Sequence, residues 1–539
     1  MKLHSYIVLL AMLGGALWVS AQGNIEISNV RPTLPVSTGV SQGYANPVLP
    51  GMHPDPSVCR VGDDYYLVNS TFQFFPAVPI YHSKDLIHWE QVGHCLTRES
   101  QVKLNDDGNS GGIWAPTLRY HNGKFYMIVT NWAHGMNQFF TAERPEGPWS
   151  DPVHVDQEGI DPCLFWDKDP KTGKEKTYYV GSAQGGILLT EIDETTGKRI
   201  GESKVIWNGT GGRYPEGPHI YKRDGYYYLL IAEGGTEFSH KITMARSKDI
   251  WGPYEGHPKN PVMTHLLQKG QDNWIQGVGH ADIVDAVDGS WWAVCLAFRW
   301  QTGGHHLLGR ETFLMPVEWE KDQWPTFNGG ECMQSEMKCK TLPQSTFPEP
   351  PRTITFKQGE PLDLRLNFLC NPRWECYSLD ARPGHLRMKA GEKTLDEKGW
   401  PTFIGLRQTN IEQRFTAMMS SDGLRDGARA GLTAYLTPEH HYDIALVKKG
   451  GKTVARVSYR LGKMRHIAAE VELGGNKAEL TIMGQAHDYR FYLDGKEIGC
   501  MDARFISTET AGGFTGTYFG AFVEGPRDSY IDLSTLTID

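Results

Sequence analysis

The sequence predicts an all-β chain of two units, a five-bladed β-propeller over 22–340 and a β-sandwich of jelly-roll, concanavalin-like type over 353–539. Three observations carry this prediction. One hairpin-like unit recurs five times in the first 300 residues, a Pro-rich polar stretch follows, and seven further alternating or apolar segments close the chain. A chain of 539 residues also exceeds the roughly 250–300 at which a single core stops growing.

The N-terminus, "MKLHSYIVLLAMLGGALWVSAQG", has a basic start, an apolar run over 6–19 and the small-residue pattern Val19-Ser20-Ala21. It reads as a secretory signal peptide over 1–21, too short for a stable membrane span, so an exported protein, periplasmic or secreted, is expected. No membrane partner is expected. A net charge of −9 without a basic run argues against nucleic acid. The nine cysteines are scattered without metal-type CxxC pairs and are read as structural, with any pairing of Cys332/Cys339 or Cys370/Cys376 left open.

The repeats are "DPSVCRVGDDYYLV", "APTLRYHNGKFYMIV", "DPCLFWDKDPKTGKEKTYYV", "EGPHIYKRDGYYYLL" and "ADIVDAVDGSWWAV", beginning at 55, 115, 161, 216 and 281. Each joins a short apolar strand to an aromatic-rich strand through a turn of Gly, Asn, Asp or Lys, which is β-hairpin chemistry. Outer-strand segments at 80–93, 140–153, 188–201 and 243–256 fill the gaps, giving room for four strands per blade. A ring of such blades leaves no long open edge. "TLPQSTFPEPPRTI" then gives a linker over 341–352, and "RFTAMMS", "RAGLTAYL", "HYDIALVKK", "TVARVSYRL" and "YRFYLDGKEIG" read as strands of the sandwich.

The innermost strand of each propeller blade lines the central channel, so equivalent strand ends converge. Asp55, Trp114 with Pro116, Asp161, Glu216, and His280 with Asp282 all stand at the same point of the repeat. Three blades therefore bring a carboxylate to one end of the channel, and aromatic residues make up 11% of the chain, enough to supply rings on which sugars stack. Glycosidic hydrolysis needs an acid for the leaving oxygen and a base for water. Glu216, with the longer side chain, suits the acid; Asp55, fixed between Pro54 and Pro56, suits the base; Asp161 is left to tune the acid's pKa.

The motifs "NPVLPGMHPDPSVC", "GGIWAPTLRYHNGKFYM", "IDPCLF", "YPEGPHIYKRDGYYYLL", "GVGHADIV" and "LGRETFLMPVEW", in this order, resemble glycoside hydrolase family 43, in particular its β-xylosidase and α-L-arabinofuranosidase members with a C-terminal β-sandwich. The resemblance implies an exo-acting, inverting enzyme that releases terminal α-L-arabinofuranosyl or β-D-xylosyl residues from hemicellulose oligosaccharides. Base, tuner and acid match Asp55, Asp161 and Glu216. It further implies substrate contacts from Phe72, Trp114, Thr236 and Arg310, and from Phe514 of the sandwich, which would close the pocket. His280 matches a position that in some members coordinates calcium, so calcium is an optional ion and no cofactor is required. Oligomeric state is open. Gln73 and Phe74 stand where the xylosidases commonly read Glu and Trp, which leaves arabinofuranose and xylose both open. A non-catalytic carbohydrate-binding propeller is the alternative, and it would be expected to lack one of the three acids. A retaining enzyme of the fructan-transferring class would show an "NDPNG"-type motif in place of "HPDPS".

Overall fold

The structure is a computed structural model that describes residues 25–40, 42–266, 274–301 and 303–539. The expected signal peptide at 1–21 lies outside the described residues. Beyond one α-helical turn, Thr508–Ala511, and three short 3-10 turns, regular structure among the described residues is β.

Five antiparallel blades occur in chain order, each with its innermost strand first; four have four strands and the fourth blade has a short fifth, Met263–Thr264. These strands are Ser57–Val61 in blade I, Gly112–His121 in II, Ile160–Lys168 in III, Glu216–Arg223 in IV and Ile275–Asp285 in V. Each packs on the next, and the last returns to the first, which closes the ring. A short segment before blade I completes the closure: Asn46 exchanges side-chain bonds with the backbone of Leu314 in blade V, and Leu49 bridges Thr312. The stretch 341–352 is more than a linker, because Pro343–Thr346 pairs with Val36–Val40.

One irregularity is repeated around the ring. In blades II to V the inner strand carries one extra residue relative to its partner, between Trp114 and Thr117, Ile160 and Cys163, Glu216 and His219, and Gly279 and Asp282. Such a bulge bends the strand and re-aims a side chain. Ala115, Asp161, Gly217 and His280 occupy these bulges in left-handed backbone (φ 39°, 53°, 57° and 45°), and Asp55 matches them at φ 51°. Four of the five are followed by proline, which has no N–H to lose where the ladder is interrupted.

The sandwich is two six-stranded antiparallel sheets. Strand Gln413–Ser420 alternates between buried and more exposed residues as its sequence predicts. The two units share one core. Phe368–Leu369 pairs with Phe74–Phe75, Phe74 stacks on Tyr518 with ring centroids 3.9 Å apart, and Arg407 donates to the carbonyl of Met52 at 2.9 Å. None of the nine cysteines is disulfide-bonded.

Candidate active site

The bulges decide which side chains meet at the channel mouth. The sequence reading aligned Trp114 and Glu216 with Asp55 and Asp161, but the structural equivalents are Ala115 and Gly217, so Trp114 and Glu216 lie one residue earlier. Glycine is required in blade IV. A Cβ on Gly217 would lie 2.9 Å from Nδ1 of His280, so its absence makes room for the His280 ring.

Asp55 is buried and fully engaged. Its Oδ2 accepts from Ser70 Oγ at 2.6 Å, its Oδ1 accepts from Arg310 Nη1 at 2.9 Å, and His280 Nδ1 lies 3.9 Å from Oδ1. Burial pushes its pKa up, but the Arg310 charge, His280 and the Ser70 bond outweigh burial and hold the carboxyl below its usual range. Asp55 is therefore an ionised carboxylate at neutral pH.

The other two acids are shifted the opposite way. Burial raises Glu216 to about 7, the negative charge of Asp55 adds to the rise, and Arg310 opposes it. Asp161 is also raised, chiefly by burial, against His280 and with the charges of Glu216 and Asp55. These two carboxyls titrate as a pair. Their surroundings place the proton: Asp161 Oδ2 accepts from the backbone N–H of Gly217 at 3.0 Å, which favours the carboxylate form, whereas no hydrogen bond from the described residues contributes to Glu216. Both are raised to about 7, and the Gly217 bond favours ionisation at Asp161, which leaves Glu216 the better proton donor of the pair. The repulsion between Asp161 and Glu216 acts on both carboxyls alike, and the charge of Asp55 raises each of them further.

Arg310 organises the remaining predicted residues. Its Nη1 also donates to Thr236 Oγ1 at 2.9 Å, its Nη2 reaches the carbonyl of Phe514 at 3.4 Å, and its guanidinium lies 5.6 Å and 5.4 Å from the ring centroids of Phe72 and Phe514. Phe514 stacks near Phe72 at 6.1 Å and meets Trp114 edge-on at 6.0 Å. All five expected substrate-contact residues, Phe72, Trp114, Thr236, Arg310 and Phe514, therefore join one cluster around Asp55.

Several contributors carried no readable signal. Ser110 holds three parts of the wall: its Oγ accepts from the Phe514 N–H at 2.7 Å, its carbonyl accepts from Trp114 Nε1 at 2.8 Å, and its N–H donates to Gln73 Oε1 at 3.0 Å. Trp132 stacks flat on Trp114, with centroids 4.6 Å apart. Gln73 and Phe74, which stand where the xylosidases commonly read Glu and Trp, are both buried, with Gln73 acting on the wall through Ser110 and Phe74 packed on Tyr518. Below the mouth, Asp282 accepts from Arg119 Nη1 at 2.7 Å, Ser57 Oγ at 2.7 Å and Tyr221 Oη at 2.7 Å, while Arg119 Nη2 reaches Nδ1 of His219 at 2.9 Å. This plug ties the inner strands of blades I, II, IV and V.

The donor set is a poor match for a chain-held calcium ion, which takes six to eight oxygen ligands. His280 offers a nitrogen, its neighbour Asp55 is occupied by Arg310 and Ser70, and no group of three or more His, Cys, Asp or Glu side chains among the described residues is arranged to hold a metal.

Known proteins share this architecture. Residues 44–325 match the model for glycosyl hydrolases family 43, and residues 353–536 match a β-xylosidase C-terminal concanavalin A-like domain. The chain is 39% identical over 493 residues to a non-reducing end α-L-arabinofuranosidase of Bacteroides ovatus, covering 89% of this chain and 91% of that protein. It is 39% identical over 520 residues to a xylosidase/arabinosidase of Butyrivibrio fibrisolvens, covering 92% and 99%. A solved Bacteroides ovatus structure described as a xyloglucan-locus GH43B superposes with a TM-score of 0.87 at 37% identity, covering 92% of this chain and 99% of that one. With both matched regions and the carboxylate-bearing propeller in place, the chain belongs to glycoside hydrolase family 43.

Proposed function

We propose that this glycosidase removes terminal α-L-arabinofuranosyl or β-D-xylosyl residues from hemicellulose oligosaccharides by single displacement with inversion. One observation carries the reading: carboxyls from blades I, III and IV meet at one end of the channel, where Arg310 and Ser70 hold Asp55 below its usual range while burial and negative charge raise Glu216 and Asp161. Asp55 takes a proton from water as the water attacks the anomeric carbon. Glu216 gives its proton to the glycosidic oxygen as that bond breaks. Asp161, anchored to the Gly217 N–H, holds the backbone beside the acid and shares in its titration. Arg310, Thr236, Phe72 and Phe514 line the terminal-sugar site, with the sandwich supplying Phe514. The basic start and apolar run at the N-terminus support action after export from the cytoplasm.

The test is hydrolysis of nitrophenyl α-L-arabinofuranoside and nitrophenyl β-D-xylopyranoside, with the first-formed anomer read by NMR. Inverted sugar is expected from at least one of them, with Asp55→Ala and Glu216→Ala strongly impaired. A retained anomer refutes single displacement. Binding of sugar without cleavage of either substrate would favour the binding-propeller reading.

A further inference from the structure

The acid fixes the side on which the leaving group departs, because the group that protonates the glycosidic oxygen must stand beside it. Tyr214 lies two residues before Glu216 and is 57% exposed. Its backbone is left-handed (φ 54°), an unfavourable conformation for a bulky residue and one met at ligand-handling sites. Such strain persists only where the surroundings enforce it, and here they do. The neighbouring Arg213 lies 5.4 Å from the Tyr214 ring centroid and is itself clamped: its Nε donates to the Gly234 carbonyl at 2.9 Å, and its Nη2 bonds Ser239 Oγ at 3.2 Å and the Glu237 carboxylate.

The ring is also placed against the catalytic wall. Gly235 (φ 78°) runs past it so closely that an added Cβ would lie 3.2 Å from Tyr214 Cδ2, and the next residue, Thr236, bonds Arg310. Other exposed aromatics of the wall have partners, since Trp132 (43% exposed) is stacked on Trp114 and Phe514 (37%) packs near Phe72. No aromatic ring among the described residues is recorded against Tyr214.

Resting on the reading of Glu216 as the acid, we propose that Tyr214 is the platform for the leaving-group sugar and determines preference for substrates whose aglycone is a pyranose ring. A flat aromatic face held at the rim by Arg213 and Gly235 offers the apolar face of that ring a stacking partner.

The test compares kcat/KM for two leaving groups on the same terminal sugar: an oligosaccharide with a xylopyranose aglycone (xylobiose or an arabinofuranosyl-xylotriose) and the corresponding glycosyl fluoride, whose leaving group has no ring. Tyr214→Ala is expected to lower the oligosaccharide-to-fluoride ratio about tenfold, ~1.4 kcal/mol, mainly through KM. Tyr214→Phe should restore the ratio and Tyr214→Leu, which keeps bulk without the flat face, should not. An unchanged ratio, whether activity is retained or lost equally on both substrates, overturns the proposal. Glu216→Ala run in parallel keeps the two readings apart: if that variant cleaves the oligosaccharide normally, the assignment of the acid fails, independently of the Tyr214 ratio.

Discussion

Replacing Arg310 with methionine should slide the whole pH–activity profile to higher pH. In the native site Arg310 is the strongest influence lowering Asp55 against the upward pressure of burial, and it also lowers Glu216. Removing one partner of a buried ion pair costs ~3–5 kcal/mol if the remaining charge persists. Asp55 can avoid that cost by taking up a proton, and at about 1.36 kcal/mol per pKa unit the upper limit is about 2.2 to 3.7 units. The Ser70 bond and His280 survive the substitution, so a rise of about two units is expected in the acid limb of kcat/KM, with the alkaline limb moving the same way. The assay is kcat/KM on a nitrophenyl glycoside from about pH 3.5 to 9, with circular dichroism as a check on folding. Stability has a matching sign. Native Asp55, depressed in the folded state, contributes stability above the ordinary carboxylate range and loses it as pH falls through its folded value. In the variant its value is raised, so the protein should be destabilised at neutral pH and recover on mild acidification. A profile of native shape, merely scaled down, would refute this account and reduce Arg310 to a sugar contact.

Other expectations follow from single contacts. Glu216→Ala should lose about 10²–10⁴ in kcat on oligosaccharides but far less on a dinitrophenyl glycoside, whose leaving group needs no proton, and its alkaline limb near pH 7 should vanish; equal losses on both would remove Glu216 from the acid role. Asp282→Asn strands the largely buried Arg119 guanidinium, so a loss of ~3–5 kcal/mol, read as a drop of about three to five degrees in Tm for a chain of this size, is expected by calorimetry, and an unchanged Tm would show that the plug is not stabilising. Because Asp282 is held well below the usual carboxylate range by Arg119, against the pull of burial, its contribution should be present above about pH 4 and fade as pH falls through its folded value. Ser110→Ala deletes the Oγ bond to the Phe514 N–H, worth ~0.5–1.5 kcal/mol; a rise in KM of about two- to tenfold with little change in kcat is expected, and an unchanged KM would mean that Phe514 is placed without it.

Much of this was legible in the sequence because a propeller repeats its turn chemistry. The Gly-, Asn- and Asp-bearing turns and the aromatic second strands located the hairpins, and proline after Asp55 and Asp161 marked the channel ends. Alternation along Gln413–Ser420 placed a sandwich strand. The one-residue bulge was not legible: "APTL" sets Ala115 opposite Asp55 while "EGPH" sets Glu216 there, and neither spelling marks which residue occupies the bulge. That ambiguity hid the role of Gly217, which only the approach of His280 reveals. Ser70, Ser110 and Trp132 were invisible for another reason: each acts through a contact between segments far apart in the chain, and none has a residue type or spacing that marks it. Gln73 and Phe74 were noticed as departures in sequence, but the contacts through which they act, on Ser110 and on Tyr518, join segments far apart in the chain.

The charge arrangement explains why three carboxyls suffice without a second cation. Within one buried volume, three ionised acids would face Arg310 alone, apart from His280. Burial and mutual repulsion raise Glu216 and Asp161 together, and the local bonds set the order in which the acids ionise. Asp55 has a guanidinium and a hydroxyl donor, so it ionises first; Asp161 has one backbone N–H, so it comes second; Glu216 has no donor among the described residues and comes last. The negative charge that Arg310 and Ser70 stabilise on Asp55 is the same charge that raises Glu216. Base and acid are therefore set by a single arrangement, which is why moving Arg310 should move both limbs together, whereas a substitution at Glu216 should remove only one.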